Sequence, residues 1–496
     1  MKKINKIIFV GLLALLMGCN DAIDIRQPGR LDASGAFQSI DDLRSGVLAV
    51  YNELDLTPEI AFASNFCDEV TIGFDSGGQG LALYNFNLNA GSVAAQNFWV
   101  RNFRVNNRAT VLLEAAASVE VDAADQADYN NILAETYFIR AYANMEMLLY
   151  FSPDARNNDA LAQPLIDFVP GLGIQPRRNT TGEIWDFIES DIDMANSLSN
   201  VNSDPFFISK DAIRAMRARI AMEKGDYPTA ESLAMGLLSS YPLADRTEYA
   251  DMFLDNDTSE VIWNLQRTVN DPYDGQGATG SVNAGGWAGA RFAFVTATLA
   301  GSPYFEMDRG LFNLMDPADI RYDVNVAPTS VINPDYDTSP DPVNTDILVI
   351  QKYPGSEGKP LMNDLKVFRS SEMLLIAAEA RAAQNNLVGA ANLIKQLRDA
   401  RFGSAQMLPV YGSQAEAFAG VLDERRIELS FEGHRYKDLK RLGAAANKGI
   451  DRDPIDCGVN SAPCTLPSTD FRFTLPIPVI EINGNPGIAE QQNPGY

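Results

Sequence analysis

The feature that most constrains the fold of this chain is a helical hairpin pattern that occurs twice. Residues 210–238 align with residues 370–398, at a shift of 160 positions. The matched pairs are Ala218 with Ala378, Ala230 with Ala390, Leu233 with Leu393 and Leu237 with Leu397. In each copy a polar turn separates two stretches with helical periodicity. Because small residues let two antiparallel helices approach closely, the pattern predicts a helical scaffold.

Both hairpins look like the tetratricopeptide helix-turn-helix unit, which repeats about every 34 residues. The shift between the copies is not a multiple of that period, so the units are not in tandem. Two generic Ala-rich hairpins are the alternative interpretation. The stretches with helical periodicity are about 39–54, 93–117, 126–150, 183–240 and 367–443, and the last two contain the hairpins. We therefore predict a helical scaffold over about 39–240 and 367–443.

Two loop-rich stretches interrupt this scaffold, at about 58–92 and about 241–366. The second contains NDPYDGQGATGSVNAGGWAGARF at 270–292, which is rich in Gly, Asn and Asp. Binding residues concentrate on loops that a rigid scaffold positions. The two stretches are therefore predicted to form a binding surface that the helical scaffold supports.

The N-terminus has the order of a bacterial lipoprotein signal. It reads MKKINKIIFVGLLALLMGC, with a lysine-rich start, an apolar run too short to span a bilayer, a small residue and Cys19. An ordinary signal peptide with a coincidental cysteine is the alternative. We predict that Cys19 is lipidated after cleavage. The predicted divisions are a signal peptide over 1–18, an extended tether over 19–38 and a single domain over 39–496.

Composition excludes several classes of function. The chain has 40 Lys and Arg against 65 Asp and Glu, a net charge of −25. Nucleic-acid binding needs clustered basic residues, so nucleic acid is not expected as a partner. With 1 His and 4 Cys, a His-rich metal site, a zinc ribbon or a Ser/His/Asp triad is hard to build. We expect no cofactor and no metal ion.

The most charge-dense segment, DERRIELSFEGHRYKDLKRLG, is predicted to be helical. Arg425 and Glu428 are three residues apart, as are Glu432 and Arg435, and such pairs can form ion pairs. A glycosidase would need one of the two glutamates to have a raised pKa. With arginines alongside, both should stay ionised and paired. His434 lacks a nearby nucleophile, so we expect a structural role for it and no enzymatic activity for the chain.

Cysteine spacing suggests one disulfide. Cys457 and Cys464 bracket CGVNSAPC, and an oxidising, extracytoplasmic location permits a bond that closes this short loop. Metal binding by two cysteines alone is the poorer explanation. Cys67 is left single and is expected to be a small buried apolar residue.

The candidate ligand site lies between the loops at about 74–86 and about 273–304. Trp287 stands among glycines, which leave an indole few covering side chains, and such rings stack on sugars. A tryptophan that folds back as an anchor is the alternative. Two tyrosine rings could stack on a sugar as well, and three polar side chains could orient it. The predicted ligand-binding residues are Trp287, Tyr304, Tyr84, Asp75, Asn283 and Arg291.

The chain resembles the SusD/RagB family of outer-membrane nutrient-uptake lipoproteins over nearly its whole length. The resemblance rests on the signal at Cys19 and on five further stretches. These are FWVRNFRVNNRATVLLEA (98–115), AETYFIRAYANMEML (134–148), FRSSEMLLIAAEA (368–380), ERRIELSFEGHR (424–435) and the ending LPIPVIEINGN…QQNPGY (475–496).

The resemblance implies a mainly α SusD-like fold, with four tetratricopeptide-like helix pairs and a loop-rich ligand-binding half. It also implies a lipid anchor in the outer membrane, on the cell surface, and no catalytic activity. The implied partners are a SusC-like TonB-dependent transporter and an oligosaccharide or polysaccharide ligand. Some members bind peptides, so a peptide-binding RagB-like lipoprotein is one alternative and an assembly scaffold is another. The family has no fixed binding-site motif.

Overall fold

The computed structural model describes residues 33–73, 75–171, 173–200, 204–269, 286–293 and 303–496. The predicted signal peptide, the lipidation residue Cys19, most of the tether and the candidate ligand residue Asn283 lie outside these ranges. Within them, no helix is both long enough and apolar enough to cross a membrane.

The described chain is mainly helical, which confirms the predicted fold class. We label the helices of at least eight residues α1 (Ile40–Glu53), α2 (Thr57–Phe66), α3 (Val93–Ala116), α4 (Gln126–Phe151), α5 (Thr181–Leu198), α6 (Lys210–Lys224), α7 (Tyr227–Leu237), α8 (Arg246–Phe253), α9 (Ser370–Ala383), α10 (Leu387–Phe402), α11 (Gln414–Glu428) and α12 (Arg435–Leu442). Shorter α-helices are Ala33–Ala36, Leu81–Tyr84, Arg309–Phe312, Ile320–Asn325, Pro342–Thr345, Pro454–Val459 and Val479–Gly484. The 3-10 turns are Ala288–Arg291, Tyr336–Thr338, Phe471–Phe473 and Pro486–Gln491.

Strands are short, and those of the described residues form two-stranded antiparallel ribbons. They are β1 (Val70–Ile72), β2 (Val261–Leu265), β3 (Phe305–Met307), β4 (Gly355–Ser356), β5 (Lys359–Pro360), β6 (Leu365–Arg369), β7 (Ile450–Asp451) and β8 (Thr465–Leu466). The pairs are β1 with β3, β2 with β6, β4 with β5, and β7 with β8. Each ribbon joins segments that helices or loops separate in sequence, except β4–β5.

Helix α4 packs against both α3 and α5. The periodicity predicts a helix over 126–150, and α4 spans Gln126–Phe151. Its C-terminal half is buried without interruption, because α3 packs on one side and α5 on the other. A helix that is covered on several sides needs apolar residues all round, which explains the AYANMEMLLYF run at its end.

The two related hairpins are α6–α7 and α9–α10. Residues 210 and 370 begin their first helices, and residues 227 and 387 begin their second helices, so the shift of the sequence alignment is retained in three dimensions. The aligned alanines Ala218, Ala230, Ala378 and Ala390 are fully buried. Helix α7 packs directly against α9. Two copies that are far apart in sequence are therefore neighbours in the fold.

The prediction of a loop-rich stretch over 58–92 is wrong at its start, where Thr57–Phe66 form α2. Pro58 suggested a loop, but it occupies the first turn of the helix, where a missing N–H leaves no bond unmade. The helix is buried, and the Phe62 ring lies 5.0 Å from the ring of Tyr436 in α12. A short apolar helix with a proline at its beginning is easily read as a loop from sequence.

The stretch at about 241–366 also contains the helix α8, whose Tyr249, Met252 and Phe253 are buried, and the fully buried strand β2. Strand β2 pairs with β6, with register shifts on both sides of Trp263. The Trp263 ring is fully buried and meets Phe138 of α4 edge to face, with the ring centres 5.2 Å apart. This ribbon therefore links the loop-rich half to the helical scaffold.

The charge-dense segment, residues 423–443, is not one continuous helix as predicted. Helix α11 ends at Glu428 and α12 begins at Arg435. Between them Phe431 and Gly433 adopt left-handed backbone conformations, with φ of 63° and 84°. At Gly433 the chain passes so close to α2 that a Cβ would lie 3.3 Å from the backbone nitrogen of Ile60. The break therefore lies where the chain packs closely against α2.

Candidate functional site

The two predicted loop regions meet at the ribbon formed by β1 and β3. Beyond the strands, the Gly73 N–H donates to the Tyr304 carbonyl at 2.9 Å and the Asp75 N–H to the Pro303 carbonyl at 3.2 Å. A Cβ at Gly73 would lie 2.7 Å from the Tyr304 carbonyl carbon, so this close approach requires glycine. The structure therefore places the described parts of both loops on one surface, which we call the loop face.

The disulfide loop borders the loop face. Cys457 and Cys464 are bonded, with their Cα atoms 5.4 Å apart, as the spacing suggested. Within this loop the Asn460 side-chain amide donates to the Thr71 hydroxyl of β1 at 3.3 Å. Cys67 is unbonded and fully buried, in agreement with its predicted role. The bridge therefore holds a short loop against β1.

Trp287 lies in a small apolar cluster with Ala290 and Met362, and only 8% of it is exposed. The neighbouring Gly289 does not leave the indole uncovered. A Cβ at Gly289 would lie 2.7 Å from the Tyr353 carbonyl oxygen. Glycine is needed at position 289 because the backbone packs closely there. The segment that contains Trp287 therefore folds back onto the protein.

Asp55 joins three parts of the chain beneath the 3-10 turn that contains Arg291. Its carboxylate accepts a hydrogen bond from Arg101 of α3 and lies 3.5 Å from the Arg267 guanidinium after β2. Arg291 donates to the hydroxyl of Thr57 at 2.9 Å. Burial alone would raise the pKa of Asp55, but the three guanidiniums lower it below its usual value. No sequence signal marked this aspartate in advance.

The remaining predicted ligand residues differ in accessibility. Tyr84 has no exposed surface, because the Arg452 guanidinium lies 3.8 Å from its ring centre. Tyr304 is 7% exposed and packs edge to face on Phe305, with the ring centres 4.5 Å apart. Asp75 and Arg291 are half-buried. Tyr84 therefore supports the loop face from beneath, while Asp75 lies at its surface.

A narrow acidic cleft lies between the loop face and the disulfide loop. Its volume is about 20 Å³, and its polar lining comprises Thr71, Glu306, Tyr336, Asp346 and Asp456. The Arg309 guanidinium lies 3.0 Å from Asp346 and offsets the charge of that carboxylate, while the backbone N–H of Arg309 donates to Asp456 at 2.7 Å. The cleft is too small for a sugar ring. Among the described residues, no group of His, Cys, Asp and Glu side chains is arranged to hold a metal ion.

The glutamates of the charge-dense segment lie in a buried ion-pair network. The Glu428 carboxylate contacts Arg401 at 2.9 Å, Arg321 at 3.3 Å and also Arg369. Burial alone would raise the pKa of Glu428, but Arg401, Arg369 and Arg321 lower it well below its usual value. Glu432 contacts Arg369 at 2.8 Å, and its pKa is lowered too. The prediction that both stay ionised and paired is confirmed.

The individual ion pairs predicted in this segment are wrong. Arg425 binds Asp438 of α12 at 2.8 Å, and Arg435 binds Asp68 near β1 at 2.7 Å. The break between α11 and α12 disrupts the helical spacing of Glu432 and Arg435, whereas Arg425 and Glu428 both lie in α11 and bind other partners. His434 lies at the start of α12, and burial lowers its pKa well below the usual value. It is therefore neutral.

Two larger cavities lie on the helical scaffold. One, of about 420 Å³, is a groove along α5, α6 and α7. The other, of about 340 Å³, lies at the junction of α4 and α12. In the second, Lys440 donates to the carbonyls of Leu149 at 2.8 Å and Ser152 at 2.6 Å, and burial lowers its pKa to about 7. These polar groups tie the two helices together.

Comparison with known proteins identifies relatives over the whole chain. Residues 319–496 match the family model described as the SusD family. SusD-like protein P2 from Formosa agariphila is 24% identical, and the match covers 100% of both chains.

Solved structures show the same fold. A SusD superfamily protein from Bacteroides vulgatus has 23% identity and a TM-score of 0.72, covering 93% of this chain and 100% of that one. Surface glycan-binding protein A from Bacteroides fluxus has 20% identity and a TM-score of 0.69, covering 93% of this chain and 100% of that one. At such identities the likeness establishes the fold.

Proposed function

We propose that the chain is a member of the SusD/RagB family, since its C-terminal part matches the SusD family model, and that it captures glycans at the cell surface. In this proposal it passes them to a SusC-like TonB-dependent transporter in the outer membrane. One observation carries the proposal: the β1–β3 ribbon collects two loop regions on one face of a scaffold whose fold is also that of a surface glycan-binding protein.

The proposed anchor is a lipid on Cys19, at the end of the N-terminal signal. Acyl chains contribute about 0.8 kcal/mol for each buried methylene, so several chains hold a protein stably at a bilayer. The mature protein then faces outward from the outer membrane, with its folded body joined to the lipid by the tether over 19–38.

We place the ligand on the loop face. Trp287 and Tyr304 supply ring edges, and Asp75 and Arg291 supply hydrogen bonds. The small exposed fractions of the two rings limit them to edge contacts in this conformation. The net charge of −25 disfavours sulfated and uronic polymers by repulsion, so we propose a neutral glycan.

Native gels cast with starch, xyloglucan, galactomannan or laminarin test the capture step. We expect at least one of these polysaccharides to slow migration of the wild type. A stacked aromatic ring is worth about 1–3 kcal/mol, and an edge contact should lie at the low end, so Trp287→Ala should bind that polysaccharide roughly five-fold more weakly. Phe168→Ala is the matched control, since this ring is 41% exposed on a separate loop.

Two results would contradict the proposal. The first is normal migration of the wild type in every polysaccharide gel; binding of unfolded casein peptides would then favour a peptide-binding lipoprotein. The second is equal retardation of wild type and Trp287→Ala, compared below both melting temperatures, which would remove the tryptophan from the site.

A further inference from the structure

A second aromatic surface lies beside the loop face, in a cleft between the end of α1, the turn before α6 and the end of β2. The cleft has a volume of about 140 Å³. Its principal lining residues are Tyr51, Asn52, Phe206, Phe207, Gln266 and Arg267. Pockets for drug-sized ligands measure roughly 300–1,000 Å³, so this one has room for a single ring.

The rings of this cleft are more accessible than those of the loop face. Tyr51, Phe206 and Phe207 are half-buried, whereas Trp287 and Tyr304 are nearly covered. Tyr51 and Phe207 meet edge to face, with ring centres 6.0 Å apart and planes at 85°. Exposed parts of aromatic faces suit the apolar C–H side of a sugar ring.

The turn that carries the two phenylalanines is held rigidly. The Phe206 N–H donates to the Asp204 carboxylate at 3.0 Å, and the Pro205 carbonyl accepts from the N–H of Asn264 in β2 at 2.8 Å. The Tyr51 hydroxyl accepts from the Ile208 N–H at 3.1 Å. Binding to such a surface requires little ordering, which improves affinity.

The polar groups of the cleft suit a neutral ligand. Asn52 and Gln266 are exposed, and each amide offers donors and an acceptor to sugar hydroxyls. Arg267 is buried and directs its charge toward Asp55. The cleft therefore combines apolar rings with uncharged hydrogen-bonding groups.

The cleft is connected to the proposed ligand site through Arg267. The Arg267 side chain donates to the Gly286 carbonyl at 3.2 Å, one residue before Trp287. The backbone N–H of Arg267 donates to the Asp364 carboxylate at 2.7 Å. One arginine thus contributes to the lining of the cleft and holds the backbone next to the tryptophan.

We propose that this cleft is a second glycan subsite, which binds one neutral sugar ring of a chain that also contacts the loop face. The proposal rests on the glycan-binding function proposed above. It adds the turn at 204–207 and the amide of Gln266 to the residues that select the ligand.

Native gels cast with starch, xyloglucan, galactomannan or laminarin also test this subsite. The double variant Phe206→Ala/Phe207→Ala should bind the polysaccharide that retards the wild type more weakly, by roughly ten-fold or more. Gln266→Ala removes only an exposed side chain, and loss of a hydrogen bond should weaken binding roughly two- to ten-fold. Phe168→Ala should migrate like the wild type. Melting temperatures identify any variant that loses binding by unfolding.

The outcomes separate the subsite from the general function. Suppose that a polysaccharide retards the wild type and that Trp287→Ala is retarded less. If the double variant and Gln266→Ala then migrate like the wild type, the subsite is refuted and glycan capture stands. If no polysaccharide retards the wild type, both proposals fail. If the double variant is unstable, Gln266→Ala alone decides: wild-type migration refutes the subsite and weaker retardation supports it.

Discussion

The charge-dense segment and the loop face differ in how they are built. In the segment, the carboxylates of Glu428 and Asp438 are buried and each contacts guanidinium groups. The loop face has a ribbon of two three-residue strands and a glycine required by close packing. In this protein the part of the sequence that looks most like a catalytic centre is therefore structural, and ligand contacts are expected on the less conspicuous loops.

The two regions are physically connected. Arg435 binds Asp68, which lies two residues before β1, at 2.7 Å. Arg426 binds Asp308, the residue after β3, at 3.2 Å. The charge-dense segment therefore holds the first strand of the ribbon at its beginning and the second at its end. Its buried charges position the loop face and have no need to contact a ligand.

The largest expected effect is on the buried network. Glu428→Ala leaves three guanidiniums without their shared carboxylate, so the free energy of unfolding should fall by about 3–5 kcal/mol. Urea unfolding measures this change. Asp193→Ala is the control: it removes an exposed ion pair with Arg217, in which the aspartate side chain is 73% exposed, and should cost less than about 1 kcal/mol. Equal costs for both variants would contradict the structural role of the network.

A smaller effect is expected at the border of the loop face. The double variant Cys457→Ser/Cys464→Ser removes a bridge across 7 positions and should lower the free energy of unfolding by about 2–3 kcal/mol. Wild-type protein unfolded in a reducing agent provides the control, because it should show the same loss. If reduction leaves the wild-type unfolding midpoint unchanged, the bridge does not stabilise this border.

A third effect depends on pH and concerns Glu59 of α2, where the two regions meet. Burial, with the charges of Glu146 and Asp55, raises the pKa of Glu59 from 4.5 to about 8. Between these values the folded state holds a proton that the unfolded state has lost, so wild-type stability falls as pH rises.

Glu59→Gln cannot lose that proton, so its melting temperature relative to the wild type should rise by about 2 °C or more between pH 5 and pH 8. Scanning calorimetry at both pH values measures this difference. Glu490→Gln, at an exposed carboxylate, should show no such trend. A constant difference between Glu59→Gln and the wild type would indicate that Glu59 is ionised in the folded protein.

Much of the scaffold was predictable because helices depend on nearby residues. Periodicity located α4 to within one residue of its observed end, and the aligned hairpins begin at matching positions. Where the prediction was wrong, a contact with a distant segment was decisive. Helix α2 follows a proline, and its burial against Tyr436 was not visible in its own sequence.

Less of the candidate site was predictable. The sequence suggested that two loops share a surface, and the β1–β3 ribbon unites their described parts. It did not indicate that Tyr84 is covered by Arg452, or that Phe206 and Phe207 line a cleft. Exposure of a ring depends on neighbours from elsewhere in the chain, and residue type alone does not specify it.

The sequence by itself determined the features that need only local spacing: helical periodicity, the aligned hairpins and the short loop between Cys457 and Cys464. The tertiary structure alone decided which charges pair, since Glu428 meets Arg401 across 27 positions and Arg369 across 59. It also decided that Gly289 packs against the Tyr353 carbonyl. The physical reason is that burial and ion pairing depend on which distant segments come into contact, and a local sequence pattern does not specify those contacts.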